Sequence, residues 1–209
     1  MAKTMAPGGS VFERYENKFL FGIDQYQGLL ERLRGRMEQD RYGLYTIRTL
    51  YYDTDDYAII RRCLEKPNFK EKLRLRGYGA PSKDSTVYLE LKKKLDKITY
   101  KRRIALPLSQ AQDYLISGCA PAEKGQIFRE IDWYVRQRPL QAKVLICYDR
   151  IALCGLESPQ LRLTVDLNIR WRDTNLALDR GDQGHPLLPP RTHLMEIKTP
   201  GALPLWLAR

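Results

Sequence analysis

Two short stretches decide most of what this chain can become. In Thr86 to Leu95 the odd positions carry Val87, Leu89, Leu91, Lys93 and Leu95, and the even ones Thr86, Tyr88, Glu90, Lys92 and Lys94. From Leu161 to Trp171, Leu161, Leu163, Val165, Leu167, Ile169 and Trp171 oppose Arg162, Thr164, Asp166, Asn168 and Arg170. Successive side chains of a strand point to opposite faces, so each stretch reads as a strand with one apolar and one ionic face. The same period recurs in Phe12 to Phe21, Leu44 to Tyr52, Phe69 to Tyr78, Ile98 to Leu106, Lys143 to Leu153 and His193 to Thr199. Helical spacing appears between them. Asp24 caps a helix through Met37 with Tyr26, Leu29, Leu30 and Leu33 in phase, and Asp53 to Leu64 carries Tyr57, Ile60 and Leu64. Ser109 opens a short helix with Tyr114 and Leu115, and Ala122 to Arg136 places Ile127, Ile131 and Tyr134 together. Thr174 to Pro190, rich in Gly, Pro and Asp, reads as a long mobile loop. With no internal repeat or linker, residues 1–209 are expected to form a single α+β domain, its antiparallel sheet an open sandwich or a closed barrel.

Charge distinguishes the two. Lys and Arg number 36 against 25 Asp and Glu, a net +11 that points to a polyanionic partner. On the clearest strands the polar face carries Lys70, Lys72, Arg74, Arg76, Lys92, Lys94, Lys101, Arg103, Arg162, Arg170, Arg172 and Lys198, opposed only by Glu90, Asp166 and Glu196. The plain reading is a solvated sheet face, but such faces mix signs because like charges directly opposite across strands repel. A lopsided face implies a missing anion. Closed inward, the sheet would line an eight-stranded β tunnel with a basic interior and flanking helices, shaped for a chain of phosphates. Arg74 and Arg76 would project in parallel, and their forked guanidinium groups suit phosphate oxygens. Glu196 would either hold Mg²⁺ or Mn²⁺ inside the cationic pore or only pair with a neighbouring Arg.

Several classes are excluded. Cys63, Cys119, Cys147 and Cys154 form no Cys-x-x-Cys, and with His185 and His193 the only histidines no zinc-ligand spacing exists; the cysteines read as reduced core thiols. His193 falls on the face opposite Glu196 and reads as structural. No apolar run approaches the roughly 18 to 20 residues that span a bilayer. The amino-terminal residues contain no apolar secretory core, so a cytoplasmic location is expected. A membrane partner is left open. A nucleic-acid interface would need exposed aromatics along the basic face, where only Tyr88 was found; nucleic acid is not expected as a partner.

Seven motifs, in order along nearly the whole chain, resemble the VTC domain. They are Tyr-Glu-Asn-Lys at Tyr15 to Lys18, Leu-Tyr-Tyr-Asp-Thr-Asp-Asp-Tyr at Leu50 to Tyr57, Lys-Leu-Arg-Leu-Arg-Gly-Tyr-Gly at Lys72 to Gly79, Leu-Glu-Leu-Lys at Leu89 to Lys92, Tyr-Asp-Arg at Tyr148 to Arg150, Leu-Arg-Leu-Thr-Val-Asp at Leu161 to Asp166 and Met-Glu-Ile-Lys at Met195 to Lys198. That domain belongs to the triphosphate tunnel metalloenzymes, and the resemblance implies a polyphosphate polymerase. The terminal phosphoryl of a nucleoside triphosphate, ATP, would pass to a polyphosphate chain with Mn²⁺ or Mg²⁺ as cofactor. The resemblance implies phosphate contacts from Lys18, Arg74, Arg76, Lys92, Lys101, Arg103, Tyr148, Arg150, Arg162 and Lys198. It makes Arg74, Arg76, Lys92 and Glu196 the catalytic group, with Glu196 and Glu16 on the metal. Two departures stand out. Arg14 occupies the position of the first carboxylate of the superfamily's Glu-x-Glu-x-Lys, which favours a transferase over a two-metal hydrolase. The sequence ends at Pro204 to Arg209, where family members continue into a helix and a further basic segment. The alternatives are a tripolyphosphatase or nucleoside triphosphatase, with water as acceptor, and a non-catalytic polyphosphate-binding module.

Overall fold

A computed structural model describes residues 15–96, 98–121 and 125–208. The strands are β1 (Tyr15–Gly22), β2 (Met37–Asp53), β3 (Phe69–Tyr78), β4 (Thr86–Leu95), β5 (Ile98–Pro107), β6 (Gln141–Gly155), β7 (Arg162–Arg172), the two-residue β8 (His185–Pro186) and β9 (Thr192–Thr199). The helices are α1 (Ile23–Leu33), α2 (Ala58–Leu64), α3 (Leu108–Ser117), α4 (Gln126–Arg136) and the single turn α5 (Leu205–Ala208). All ladders are antiparallel, in the order β1-β9-β7-β6-β2-β3-β4-β5, with β8 on β7. This is the α+β architecture that the alternation predicts. Among the described residues the edge strands β1 and β5 share no ladder, so backbone hydrogen bonds do not close the ring. The sheet nevertheless curls until distant strands meet: Lys92 Nζ on β4 lies 3.7 Å from Glu16 Oε2 on β1.

The curl places the apolar faces outside. Leu73 and Leu75 of β3, Val87, Leu89 and Leu91 of β4, and Ile104 and Leu106 of β5 pack against Tyr114 of α3 and Phe128, Ile131 and Tyr134 of α4. A second cluster joins Leu163 and Val165 of β7 and Ile197 of β9 to Leu33 of α1, with Tyr26, Leu29 and Trp206 against it. Each fully buried aliphatic side chain contributes about 1.5 to 3 kcal/mol. These two clusters hold the sheet bent from its outer face and leave the inner face free of any duty to pack.

Helix ends depart from expectation for local reasons. α1 stops at Leu33 because Gly35 turns back with φ +74, and Met37 already belongs to β2. Asp53 closes β2 and accepts from the backbone N–H groups of Thr54, Ile59 and Ile60, so α2 starts only at Ala58. Of the proposed first strand, residues 12–14 lie outside the described residues, as do 122–124 of the fourth helix.

One strand switches faces. At Asn168, with φ +47, β7 places two residues opposite Tyr148, and the bulge reverses its parity. Arg170 and Arg172, expected among the tunnel cations, therefore point outward. Arg170 pairs with Asp149 and Asp182, and Arg172 donates to the carbonyls of Asn175, Ala177, Arg180, Gly181 and Gln183. The segment expected as a long mobile loop is thus pinned. Arg48 Nη1 donates to Leu178 O at 2.8 Å, and Leu178 is fully buried in the larger core. Cys63 and Cys147 are buried thiols as expected, whereas Cys119 is exposed and Cys154 half-buried.

Candidate functional site: a cationic tunnel

Direct cross-strand partners share a face, so the register identifies the lining. Pairing of Arg74 with Glu90, Glu90 with Arg103, and Lys92 with both Lys72 and Lys101 puts Lys72, Arg74, Arg76, Glu90, Lys92, Lys101 and Arg103 on one inner wall. The opposite wall pairs Arg150 with Asp166, Arg162 and Glu16 with Lys198, and Lys18 and Thr164 with Glu196. Tyr148 and Arg150 share the inner face of β6. Every site residue expected from the sequence, Lys18, Arg74, Arg76, Lys92, Lys101, Arg103, Tyr148, Arg150, Arg162, Lys198, Glu16 and Glu196, thus falls on the lumenal face. A flat solvated face would keep β1 and β4 apart, whereas here Lys92 of β4 comes within 3.7 Å of Glu16 of β1 across the curl.

The wall formed by β3, β4 and β5 is organised around Glu90, whose side chain has no exposed surface. Its carboxylate accepts from Arg74 Nε at 2.8 Å, Arg103 Nε at 2.6 Å and Lys101 Nζ at 2.7 Å, with Arg76 Nη1 at 4.0 Å. Burial would raise the Glu90 carboxyl, but Arg74, Arg76 and Lys101 outweigh it and pull it down to about 2. Arg74 also donates to Tyr51 OH at 3.3 Å, and Arg76 to Thr49 Oγ1 at 3.4 Å and Tyr148 OH at 3.5 Å. Tyr51 reports the potential there. Burial should raise its phenol, yet Arg74, Arg76 and Lys72 bring it below its ordinary value. Burial, set against Glu90, lowers the Lys101 ammonium to about 8. The lumen holds more positive charge than its own carboxylates neutralise.

On the other wall, Arg150 grips Asp166 through two bonds of 2.6 and 2.7 Å. Glu196 is buried, with Lys198 Nζ 3.3 Å from Oε2. Burial opposes its ionisation, but Lys198, Lys18 and Arg150 hold its carboxyl below the usual range. Glu196 and Glu16 lie on neighbouring strands, one diagonal step apart. Thr164, directly opposite Glu196, has a buried hydroxyl with no partner among the described residues. Hard oxygen donors of this kind fit Mg²⁺ or Mn²⁺, with phosphate oxygens and water completing the shell. Among the described residues no cluster of three or more His, Cys, Asp or Glu exists, so the protein's share of such a shell is small. Arg14 lies outside the described residues. His193 is buried between the rings of Phe21 and Tyr26, away from the lumen as its parity requires.

The sequence reading missed two features. Thr164 was placed on the ionic face with Arg162 and Asp166 but given no part in the site. It also found no aromatic companions for Tyr88, whereas Tyr42, Tyr45, Tyr78 and Tyr88 form a chain of ring contacts at one mouth. Tyr78 continues the inward series of Arg74 and Arg76 and was legible. Tyr42 was not, because the register of β2 shifts between Gln39 and Leu44.

Solved structures share this fold. A Bacillus halodurans protein provisionally named an adenylate cyclase superposes with a TM-score of 0.54 at 15% identity, covering 90% of this chain and 80% of its own. A Hippeastrum protein provisionally named an adenylyl cyclase, with a dominant triphosphatase activity, gives 0.53 at 15% identity, covering 89% and 78%. No curated protein matches the sequence. No helix among the described residues is long and apolar enough to cross a membrane. With the inward basic face, the ordered motifs and a family model that matches residues 13–209, the chain belongs to the VTC domain family.

Proposed function

We propose that the protein is a phosphotransferase that moves the terminal phosphoryl of a nucleoside triphosphate onto a polyphosphate chain inside the tunnel. The carrying observation is the Glu90 centre, where Arg74, Arg76, Lys101 and Arg103 converge on one buried carboxylate. Phosphoryl transfer needs alignment and neutralisation of the equatorial oxygens more than covalent help from the protein. Arg74, Arg76 and Arg103 offer forked donors, while Lys92, Lys101, Arg162 and Lys198 supply point charge and further donors around the lumen. A terminal polyphosphate oxygen attacks the γ-phosphorus, the bond to the β-bridging oxygen breaks, and the nucleoside diphosphate leaves. Glu196, with Glu16 beside it, would hold a divalent cation. When bound, such a cation would offset negative charge on the phosphates.

Two of the lumenal carboxylates are unavailable as bases, and Glu16 and Glu196 are taken up by the cation on this reading, which favours an anionic acceptor over water. Glu90 is saturated with cations and Asp166 is clamped by Arg150, so neither is poised to take a proton from water. Polyphosphate already carries its charge and needs no base. The test is product length. Incubation with ATP and Mn²⁺ should yield polymers on a gel, and orthophosphate as sole product would make the protein a triphosphatase instead.

A further inference from the structure

We infer that the tyrosine-rimmed mouth of the tunnel is a nucleoside subsite, where the base of the nucleoside triphosphate lies against Tyr42, Tyr45 and Tyr78 while its phosphates enter the lumen. This rests on the triphosphate reading above and adds the part of the substrate that the cations do not address. A cavity of about 630 Å³ opens there, lined by Asp40, the four tyrosines, Arg103 and Arg162. Ring centroids run at 6.1 Å from Tyr42 to Tyr45, 6.1 Å from Tyr45 to Tyr78 and 5.8 Å from Tyr78 to Tyr88. All three contacts are tilted or edge-on, so no two rings stack face to face. Tyr42 is 62% exposed and Tyr78 41%. Arg41 lies 4.8 Å from the Tyr42 ring centroid and donates to its hydroxyl at 2.6 Å, which holds the ring in place while most of its surface stays open to a planar group.

The rim is built to meet the phosphate centre. Arg103 contacts Glu90 with Nε, donates to Tyr78 OH at 3.2 Å through Nη2, and lies 4.1 Å from the Tyr88 ring centroid. One side chain thus spans the phosphate-binding cluster and the aromatic rim. Tyr42 is presented by an interruption of β2, where Gly43 turns with φ +65 and Asp40 Oδ1 accepts from Tyr42 N–H at 3.1 Å. Asp40, on the same rim as Arg103 and Arg162, offers acceptors to ribose hydroxyls. Further along β3 and β4, away from this mouth, Lys72 faces Lys92. That like-charged pair suits the anionic chain, which leaves the tyrosine mouth for the nucleoside end of the nucleotide. Tyr42, Tyr45, Tyr78 and Tyr88 gather at one mouth, while the lumenal Tyr51 and Tyr148 are engaged by Arg74 and Arg76 through their hydroxyls, so the site takes one base and not a nucleic-acid strand.

Binding calorimetry with ATP and with tripolyphosphate, both in magnesium buffer, tests the assignment. Tyr42→Ala, at an exposed position, should weaken ATP about tenfold, the scale of one base on one ring, and leave tripolyphosphate within about twofold. Tyr42→Phe should behave as wild type, and purine nucleotides should bind more tightly than pyrimidine ones. Unchanged ATP affinity in Tyr42→Ala, or equal losses for both ligands, overturns the nucleoside subsite while leaving the phosphate tunnel intact. A wild-type protein that binds no tripolyphosphate overturns both.

Discussion

Strands β3, β4 and β5 carry an ion network on each face, and the two are built to different rules. On the outer face Glu130 pairs with Lys93 at 2.9 Å and Arg102 at 2.8 Å, and Glu71 pairs with Arg138 at 3.3 Å and Lys93 at 3.9 Å. Three cations share two carboxylates, and α4 is tied to the sheet. On the inner face Glu90 alone answers Arg74, Arg76, Lys101 and Arg103. Both networks use the same residue types on the same backbone. A near-balanced network is complete without a ligand and acts as structural glue, whereas an unbalanced one stores repulsion that an anion relieves. Excess, more than the presence of charge, marks the functional face.

The largest effect should come from removing the one inner anion. Glu90→Gln leaves its cations facing each other and should cost about 3 kcal/mol of apo stability, toward the low end for a broken buried pair because Lys101 and Arg103 retain water. Thermal unfolding should show the loss, and saturating tripolyphosphate should recover much of it. An unaltered melting temperature would remove the central role assigned to Glu90.

Arg74→Ala comes next and separates binding from folding. Loss of a charged hydrogen bond should weaken tripolyphosphate by about 1.5 to 3 kcal/mol. Apo stability should hold or rise, because the inner face loses a surplus cation. A large fall in melting temperature with affinity intact would make the inner network structural, like the outer one.

A smaller effect follows pH. Burial, only partly offset by Glu90, lowers the Lys101 ammonium from its ordinary value to about 8. Between about 8 and 10.5 the unfolded chain binds more protons at this position, so its contribution to apo stability increases as pH rises through that window. Phosphate binding needs the charged form, so affinity should fall over the same rise. Lys101→Met should flatten both trends. Partial exposure of the Lys101 side chain, 40%, keeps the effect modest.

The smallest change belongs to the outer face. Glu130→Gln should cost about 1 kcal/mol, since its half-buried pairs with Lys93 and Arg102 keep part of their water, with tripolyphosphate affinity unchanged. A tenfold loss of affinity there would mean that the two faces are coupled.

Much of the site was legible because parity is local. Arg74, Arg76, Lys92, Lys101 and Arg103 needed only an unbroken period of two, and β3 and β4 run as Phe69–Tyr78 and Thr86–Leu95, where the alternation placed them. Arg170 and Arg172 were misplaced because a bulge leaves no local mark on the residue pattern. Asn168 has a short polar side chain that tolerates positive φ, but many such residues sit in regular strands. Tyr42 was hidden for the same reason on β2. The pinned loop was misread because Gly, Pro and Asp signal the absence of regular structure and say nothing of anchors. One anchor, Arg48, lies far away in sequence on β2, and the other, Arg172, closes the strand that leads into the segment, turned toward it by the bulge at Asn168.

The sequence alone determined which residues share a face, how lopsided that face is and which family the motifs belong to, since these follow from neighbours along the chain. Tertiary structure alone decided that the face turns inward, that Glu90 gathers four cations and that tyrosines from three strands meet at one mouth. Curvature arises where outer apolar side chains pack between strands and helices distant in sequence, and a bulge acts only through the strand it is paired with; neither is written in any local period.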